Sequence, residues 1–117
     1  MAQTVPETNF AIDVDGQAVG GIGVMLHSDV ERCSAEIGYW LGEEYWGLGI
    51  MTEALNAVAE YSFREFVLTR IYAVPFAGNI SSCRVLEKAG FVLEGILRRS
   101  AIKNGVVVDQ LMYSRIS

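Results

Sequence analysis

The sequence EYWGLGIMT at residues 44–52 marks the point where the chain changes from strand to helix. Before it, the aromatic and aliphatic residues of SAEIGYWL, 34–41, predict a strand. After it, apolar residues recur at helical spacing over residues 49–66. Gly47 and Gly49 allow a ligand to approach the main chain, and the free amides of a helix start bind anions. The stretch is therefore either a pyrophosphate-binding loop or an ordinary turn, and Gly-x-Gly alone does not decide between them.

The rest of the chain has alternating strand and helix patterns. Predicted strands are 9–14, 18–26, 34–41, 70–74, 91–97 and 106–116, and predicted helices are 49–66 and 79–89. Asp15-Gly16 and Lys103-Asn104-Gly105 are hairpin turn sequences, whereas residues 27–33 are polar and are predicted to be a loop. Asn79 is expected to cap the second helix, with Gly90 just past its end. This order predicts an α/β fold, with residues 1–117 forming one domain.

Composition and charge exclude several classes of function. The net charge of −5, with no long run of basic residues, disfavours nucleic-acid binding. Cys33 and Cys83 have no CxxC neighbour and His27 is the single histidine, so a metal site is not expected. No apolar segment approaches a membrane span, and residues 1–6 have no basic region followed by an apolar one, which favours the cytoplasm.

The apolar content is high for a chain of this size. Hydrophobic residues make up 51% of 117 residues, and a small domain has proportionally more surface to cover with polar groups. Some apolar surface is therefore expected to be buried against a partner chain. This predicts a homodimer.

Three motifs together resemble one family. AEIGYWL, YWGLGIMTEAL and, from residue 79, NxxSxxVLEKAGF are similar to the RimJ/RimL branch of the GNAT acetyltransferase superfamily, which acetylates protein N-termini and some small amines. The loop resembles the superfamily phosphate motif Gln/Arg-x-x-Gly-x-Gly/Ala, with Glu44 in its first position. Glu44 removes one possible contact to phosphate but leaves the backbone amides available. The resemblance starts at the first hairpin, so the strand and helices that usually precede it are expected to be missing.

The resemblance implies a fold and a cofactor. The fold is a mixed, mostly antiparallel sheet flanked by helices and splayed near its middle. The pantetheine arm of acetyl-coenzyme A is expected between the third strand and residues 70–74. An amide near Trp40 is expected to face the thioester oxygen. The implied cofactor-binding residues are Tyr39, Trp40, Leu41, Trp46, Gly47, Leu48, Gly49, Ile50, Met51, Thr52 and Asn79. Tyr39 and Trp40 can also be core aromatics, and both interpretations can hold because the implied cofactor contacts are made by backbone. Asn79 can serve only as the cap.

The resemblance also implies two catalytic side chains. Glu36 matches a position that presents a carboxylate as base for the amine, although a strand glutamate facing solvent fits equally well. Ser82 is the implied proton donor to the departing thiolate, either directly or as a relay from water, because Leu86 occupies the position of the usual tyrosine. Otherwise Ser82 is an ordinary polar residue of a first helical turn. Cys83 is expected to be buried and structural. His27 is a weak candidate for acceptor binding and is otherwise an exposed loop residue.

These features predict an enzyme that transfers acetyl from acetyl-coenzyme A to a primary amine by direct attack in a ternary complex. The acceptor is a protein N-terminus or a small amine. The alternative is a truncated coenzyme A-binding or assembly module without catalysis. An unrelated nucleotide-binding domain is disfavoured because no P-loop lysine follows Gly49.

Overall fold

A β-hairpin opens the part of the chain that the structure describes. The structure is a computed structural model that describes residues 8–117, so the N-terminal segment considered for localisation lies outside it. Strand β1 (Asn9–Val14) pairs antiparallel with β2 (Gln17–Leu26). Asp15 and Gly16 both have positive φ, at 51° and 81°, as a two-residue type I′ turn requires. The predicted hairpin is confirmed.

The next elements follow the predicted order. They are β3 (Ser34–Leu41), α1 (Ile50–Glu65), β4 (Arg70–Ala73) and α2 (Ile80–Lys88), with short 3₁₀ turns at Asp29–Glu31 and Glu43–Tyr45. Strand β4 ends at Ala73, one residue earlier than predicted. The predicted loop at residues 27–33 contains the first of the 3₁₀ turns. Neither helix among residues 8–117 is long and apolar enough to cross a lipid bilayer.

The prediction that the fifth strand ends at residue 97 is wrong. Strand β5 (Val92–Lys103) continues to the turn at Asn104 and then pairs antiparallel with β6 (Val106–Ile116). The register shifts between Leu97 and Ala101, where the charged sequence RRS interrupts the apolar alternation that predicts a strand. Within this bulge Arg99 has a φ of 52°, and its amide donates to Asp109 Oδ1 at 2.7 Å.

The six strands form one mixed sheet with the order β1-β2-β3-β4-β6-β5. Strands β3 and β4 are parallel, whereas every other neighbouring pair is antiparallel. The β3–β4 pairing covers only Ser34–Arg70, Ala35–Ile71 and Glu36–Tyr72. Among the described residues, 37–41 of β3 pair with β2 alone, so the sheet opens at its middle. This confirms the splayed, mostly antiparallel fold that the resemblance implies.

Both helices contribute to the core on the same face of the sheet. Alternate residues of the central strands, Ala35 and Ile37 on β3 and Ile71 and Ala73 on β4, are at most 2% exposed. They belong to one cluster with α1 and α2 side chains that include Leu55 and Leu86, both fully buried. Because strand side chains alternate between faces, Glu36 and Tyr72 lie on the opposite face.

Candidate functional site

A cavity of about 840 Å³ lies where the sheet opens. The free edge of β3, the loop and first turns of α1, and one side of α2 surround it. Its lining residues are Tyr39, Trp40, Leu41, Tyr45, Trp46, Gly47, Gly49, Ile50, Met51, Thr52, Glu53, Asn56, Asn79, Ser81, Ser82, Arg84, Val85 and Lys88. This volume is within the range of about 300–1,000 Å³ that small-molecule sites occupy.

The glycine loop leaves the start of α1 open to a ligand. Gly47 and Gly49 have backbone φ angles of 76° and 77°, which residues with a Cβ rarely adopt. Gly49 is the N-cap and provides no side-chain cap, so the amides of the first helical turn have no intrahelical partner. Trp46 Nε1 donates to Leu41 O at 2.7 Å and so ties the loop to the end of β3. The arrangement is suited to an anion at the helix start.

Ser82 is held in the cavity by a tyrosine from the facing strand. Tyr39 Oη and Ser82 Oγ are 2.5 Å apart. Burial raises the pKa of Tyr39 and Cys83 adds to this effect, while the Ser82 hydrogen bond acts against it. The phenol therefore stays protonated and is able to donate to Ser82. Tyr39 is thus not only a core aromatic, and its side-chain role was not foreseen from the sequence.

Asn79 caps α2 as predicted. Its Oδ1 accepts hydrogen bonds from the Ser82 amide and the Ser81 hydroxyl, both at 3.2 Å. The cap fixes the first turn of α2, which carries Ser82. Cys83, the next residue, is buried as predicted, and Leu86 is a fully buried core residue.

Two positively charged residues of the cavity lining were not predicted from the sequence. Arg84 and Lys88 lie four residues apart on α2, which places them on one face of that helix. They bring positive charge to a chain whose net charge is −5. Among the described residues, Glu53 of α1 is the one acidic member of the lining. Basic residues at this spacing are common on solvent-facing helices, so the sequence alone gives no reason to select them.

Most of the predicted cofactor residues line this one cavity. Leu48 is 66% exposed and is not among the lining residues. Trp40 is a lining residue but is 62% exposed, so it is not a core aromatic. Glu44 lies in the exposed 3₁₀ turn before the loop. Glu36 also lies outside the lining, on the face of the sheet opposite the helices.

Glu36 belongs to a polar cluster where β3 and β4 separate. Glu36 and Tyr72 form the last pair in register before the strands diverge. The His27 side chain reaches the same point, with its Nε2 at 2.8 Å from Tyr72 Oη. His27 is half-buried, so the interpretation of it as an exposed loop residue is wrong. Burial raises the pKa of Tyr72, and the Glu36 charge raises it further.

A second ionic group borders this cluster. Arg70 contacts both Glu94 carboxylate oxygens, with Nη2 at 2.5 Å from Oε1, and its guanidinium lies 4.7 Å from the Tyr72 ring centre. Ser114 Oγ donates to Glu94 Oε2 at 2.5 Å. The hydrogen bonds from Arg70 and Ser114 lower the pKa of Glu94. The face of the sheet opposite the two helices, which we call the open face, therefore carries a connected set of polar side chains beside the point where β3 and β4 separate.

Comparison with known proteins agrees with this geometry. The chain is 50% identical over 76 residues to the probable N-acetyltransferase YjcK of Bacillus subtilis, which is 65% of this chain and 42% of that protein. It is 35% identical over 97 residues to the ribosomal-protein-serine acetyltransferase of Escherichia coli, which is 81% of this chain and 54% of that protein. The chain spans about half the length of the curated relatives it matches.

Solved structures give the same result. The solved structure of Mycobacterium smegmatis RimJ in complex with CoA-disulfide superposes with a TM-score of 0.84 at 33% identity, covering 93% of this chain and 52% of that chain. The ligand of that RimJ structure is thus a form of coenzyme A, the cofactor that the sequence of this chain predicts. A profile of the acetyltransferase (GNAT) domain matches residues 2–92, which include the glycine loop and the Asn79–Ser82 motif. The chain belongs to the GNAT acetyltransferase family, and it resembles the RimJ/RimL branch.

Proposed function

We propose that this chain transfers acetyl from acetyl-coenzyme A to a primary amine, by direct attack of the amine in a ternary complex. The acceptor is a protein N-terminus or a small amine. One observation carries the proposal: a single cavity joins the free edge of β3, the uncapped start of α1 and the Ser82 hydroxyl. An extended ligand with a phosphate group at one end and a reacting group at the other fits these three features.

The lining residues suit acetyl-coenzyme A. Amides of residues 50–52 at the helix start would hold the pyrophosphate, with Arg84 and Lys88 as countercharges for phosphate. The main chain of residues 37–41 would pair with the amide groups of the pantetheine, since this edge of β3 has no strand beside it among the described residues. When bound, acetyl-coenzyme A supplies a thioester carbonyl for attack and a thiolate leaving group.

The side chains account for the proton transfers that acetyl transfer requires. As the amine nitrogen bonds to the acetyl carbon, the amine loses a proton, for which Glu36 is the proposed acceptor. As the carbon–sulfur bond breaks, the sulfur gains a proton from the Ser82 hydroxyl, which takes a proton from water in the same step and so stays neutral, while Glu36 returns the amine proton to solvent. A Tyr39 hydrogen bond to Ser82 Oγ would leave the serine proton free to point into the cavity.

The test is acetyl transfer to a panel of peptide N-termini, polyamines and aminoglycosides, with the product identified by mass spectrometry. We expect product from at least one class and a fall in rate of about 10²-fold or more near neutral pH in Glu36→Gln. Glu65→Gln removes an exposed carboxylate at the end of α1, on the other face of the sheet, and is the matched control. Coenzyme A binding without transfer to any acceptor would contradict the proposal and favour a non-catalytic binding module.

The proposal extends to a homodimer. Strand β5 is at the edge of the sheet, and the β5–β6 hairpin exposes large apolar side chains. Those with more than half of their surface exposed are Val92, Ile96, Ile102, Val106 and Ile116. Light scattering at micromolar concentration is expected to give a dimer that Ile102→Lys disrupts and Val67→Lys, on another surface, does not. A monomer in the parent protein would contradict it.

A further inference from the structure

Glu36 forms a polar cluster with His27 and Tyr72, and of these three residues only Glu36 has a role in the proposed reaction. The His27 and Tyr72 rings are stacked, with centres 5.9 Å apart and planes at 13°. Arg70 lies over the Tyr72 ring, at 4.7 Å from its centre. The Tyr72 ring therefore has an aromatic and a cationic neighbour, and its hydroxyl contacts His27 at the strand junction.

The hydroxyl of Tyr72 has one proton and faces two partners. Its oxygen lies 2.8 Å from His27 Nε2. Glu36 is the register partner of Tyr72 in the β3–β4 pair, so the two side chains project from the same face of the sheet as neighbours. An ionised carboxylate only accepts hydrogen bonds, whereas His27 Nε2 either donates or accepts. When Nε2 carries a proton, it donates to Tyr72 Oη, and the Tyr72 proton is then free to point to Glu36. This arrangement satisfies all three groups.

Deprotonation of the tyrosine does not compete with this arrangement. Burial raises the pKa of Tyr72, and the negative charge of Glu36 raises it further, so the phenol stays neutral at physiological pH. A neutral phenol beside a carboxylate is a hydrogen-bond donor. A hydrogen bond from Tyr72 to Glu36 would restrict the carboxylate to the orientation in which one oxygen accepts that bond, while the other oxygen remains available.

We propose that Tyr72 is a positioning residue for Glu36, and that His27 sets the direction of the Tyr72 hydroxyl through Nε2. The chain of hydrogen bonds runs from His27 to Tyr72 to Glu36 and holds the carboxylate at the junction where β3 and β4 separate. Tyr72 and His27 act on the acceptor only through Glu36. The inference rests on the proposed role of Glu36 as the base.

A double-mutant cycle tests this chain. Tyr72→Phe keeps the ring and its contacts with His27 and Arg70 and removes only the hydroxyl. We expect kcat to fall about tenfold, the size of one hydrogen bond to a charged group, with no change in coenzyme A affinity. In the Glu36→Gln background the same substitution is expected to have no further effect on kcat, because the group it positions is no longer a base. A structural role alone would not depend on that background.

Two substitutions of His27 test the direction of the bonds. His27→Gln presents a side-chain amide donor at a reach similar to Nε2, whereas His27→Phe keeps an aromatic ring and has no donor. We expect His27→Gln to retain most of the activity and His27→Phe to lose as much as Tyr72→Phe. Equal losses in the two His27 variants, with unchanged melting temperatures, would overturn the role of His27.

The outcomes separate this inference from the proposed function. If Glu36→Gln is inactive while Tyr72→Phe matches the parent, Glu36 is a base that needs no positioning by Tyr72, and the inference is wrong. If Tyr72→Phe lowers the rate equally with and without Glu36, Tyr72 acts independently of Glu36, and the inference is again wrong. If Glu36→Gln matches the parent, the proposed base itself fails and this inference falls with it.

Discussion

Replacing Gly49 with alanine measures how far coenzyme A binding depends on the glycine loop. Gly49 has a φ of 77°, and a Cβ built there would meet no protein atom within 4 Å. Steric clash within the protein therefore contributes nothing, and the cost is the conformational strain of the left-handed region, about 1–2 kcal/mol for a residue with a Cβ. We expect this strain to appear in two measured quantities, the free energy of unfolding and the Kd of coenzyme A.

The strain divides between stability and binding. If the substituted residue stays in the left-handed region in the free protein, the free energy of unfolding falls by about 1–2 kcal/mol. If the loop relaxes instead, coenzyme A must restore it, and the Kd rises about 5- to 30-fold. Denaturant unfolding and titration calorimetry measure the two terms, whose sum should reach about 1–2 kcal/mol.

Gly78→Ala is the matched control, because Gly78 lies in open space and has no positive φ. We expect it to change neither the unfolding free energy nor the Kd by much. If Gly49→Ala behaves like Gly78→Ala in both measurements, the positive-φ glycine loop is not needed, and the reasoning for this anion site is refuted.

The remaining predictions concern the cavity and the open face. Ser82→Ala should lower kcat more than it raises the Kd of coenzyme A, and equal kcat would return Ser82 to a structural role. Asn79→Ala should lower the unfolding free energy by about 1 kcal/mol through loss of the α2 cap, as measured by denaturant titration. Combined Arg84→Ala and Lys88→Ala should weaken coenzyme A binding at low salt and less so at high salt, whereas a salt-independent loss would argue against phosphate contacts. The pKa of Glu94 is lower in the folded state, so its contribution to stability is complete above about pH 4.5 and is lost as the pH falls through the folded pKa. Glu94→Gln should therefore flatten the acid side of the stability profile in pH-dependent unfolding.

The sequence predicts local structure well because its signals are local. The strand at SAEIGYWL, the α1 periodicity, the Asp15-Gly16 turn and the Asn79 cap each depend on residues that are neighbours in the chain. The failure at β5 has the same origin. Charged residues in the bulge after Leu97 break the alternation, and only pairing with β6 extends the strand.

The parts of the site that were missed depend on long-range register. Glu36 and Tyr72 meet because β3 and β4 are parallel neighbours, with α1 between them in the chain. His27 reaches Tyr72 across 45 residues of sequence, and Tyr39 reaches Ser82 across 43. No periodicity or turn signal specifies these contacts, because they arise from how the strands are ordered in the sheet.

Titration calorimetry of this chain with acetyl-coenzyme A tests the central claim most directly, since every proposed role depends on the cavity binding that molecule. We expect saturable binding at one site per chain, which Gly49→Ala weakens by about 5- to 30-fold when the loop relaxes. Gly49→Val weakens it whether or not the loop relaxes, because the larger β-branched side chain also obstructs the approach of the phosphate to the amides at the helix start. Absence of saturable binding, or a Kd that Gly49→Val leaves unchanged, would contradict this claim.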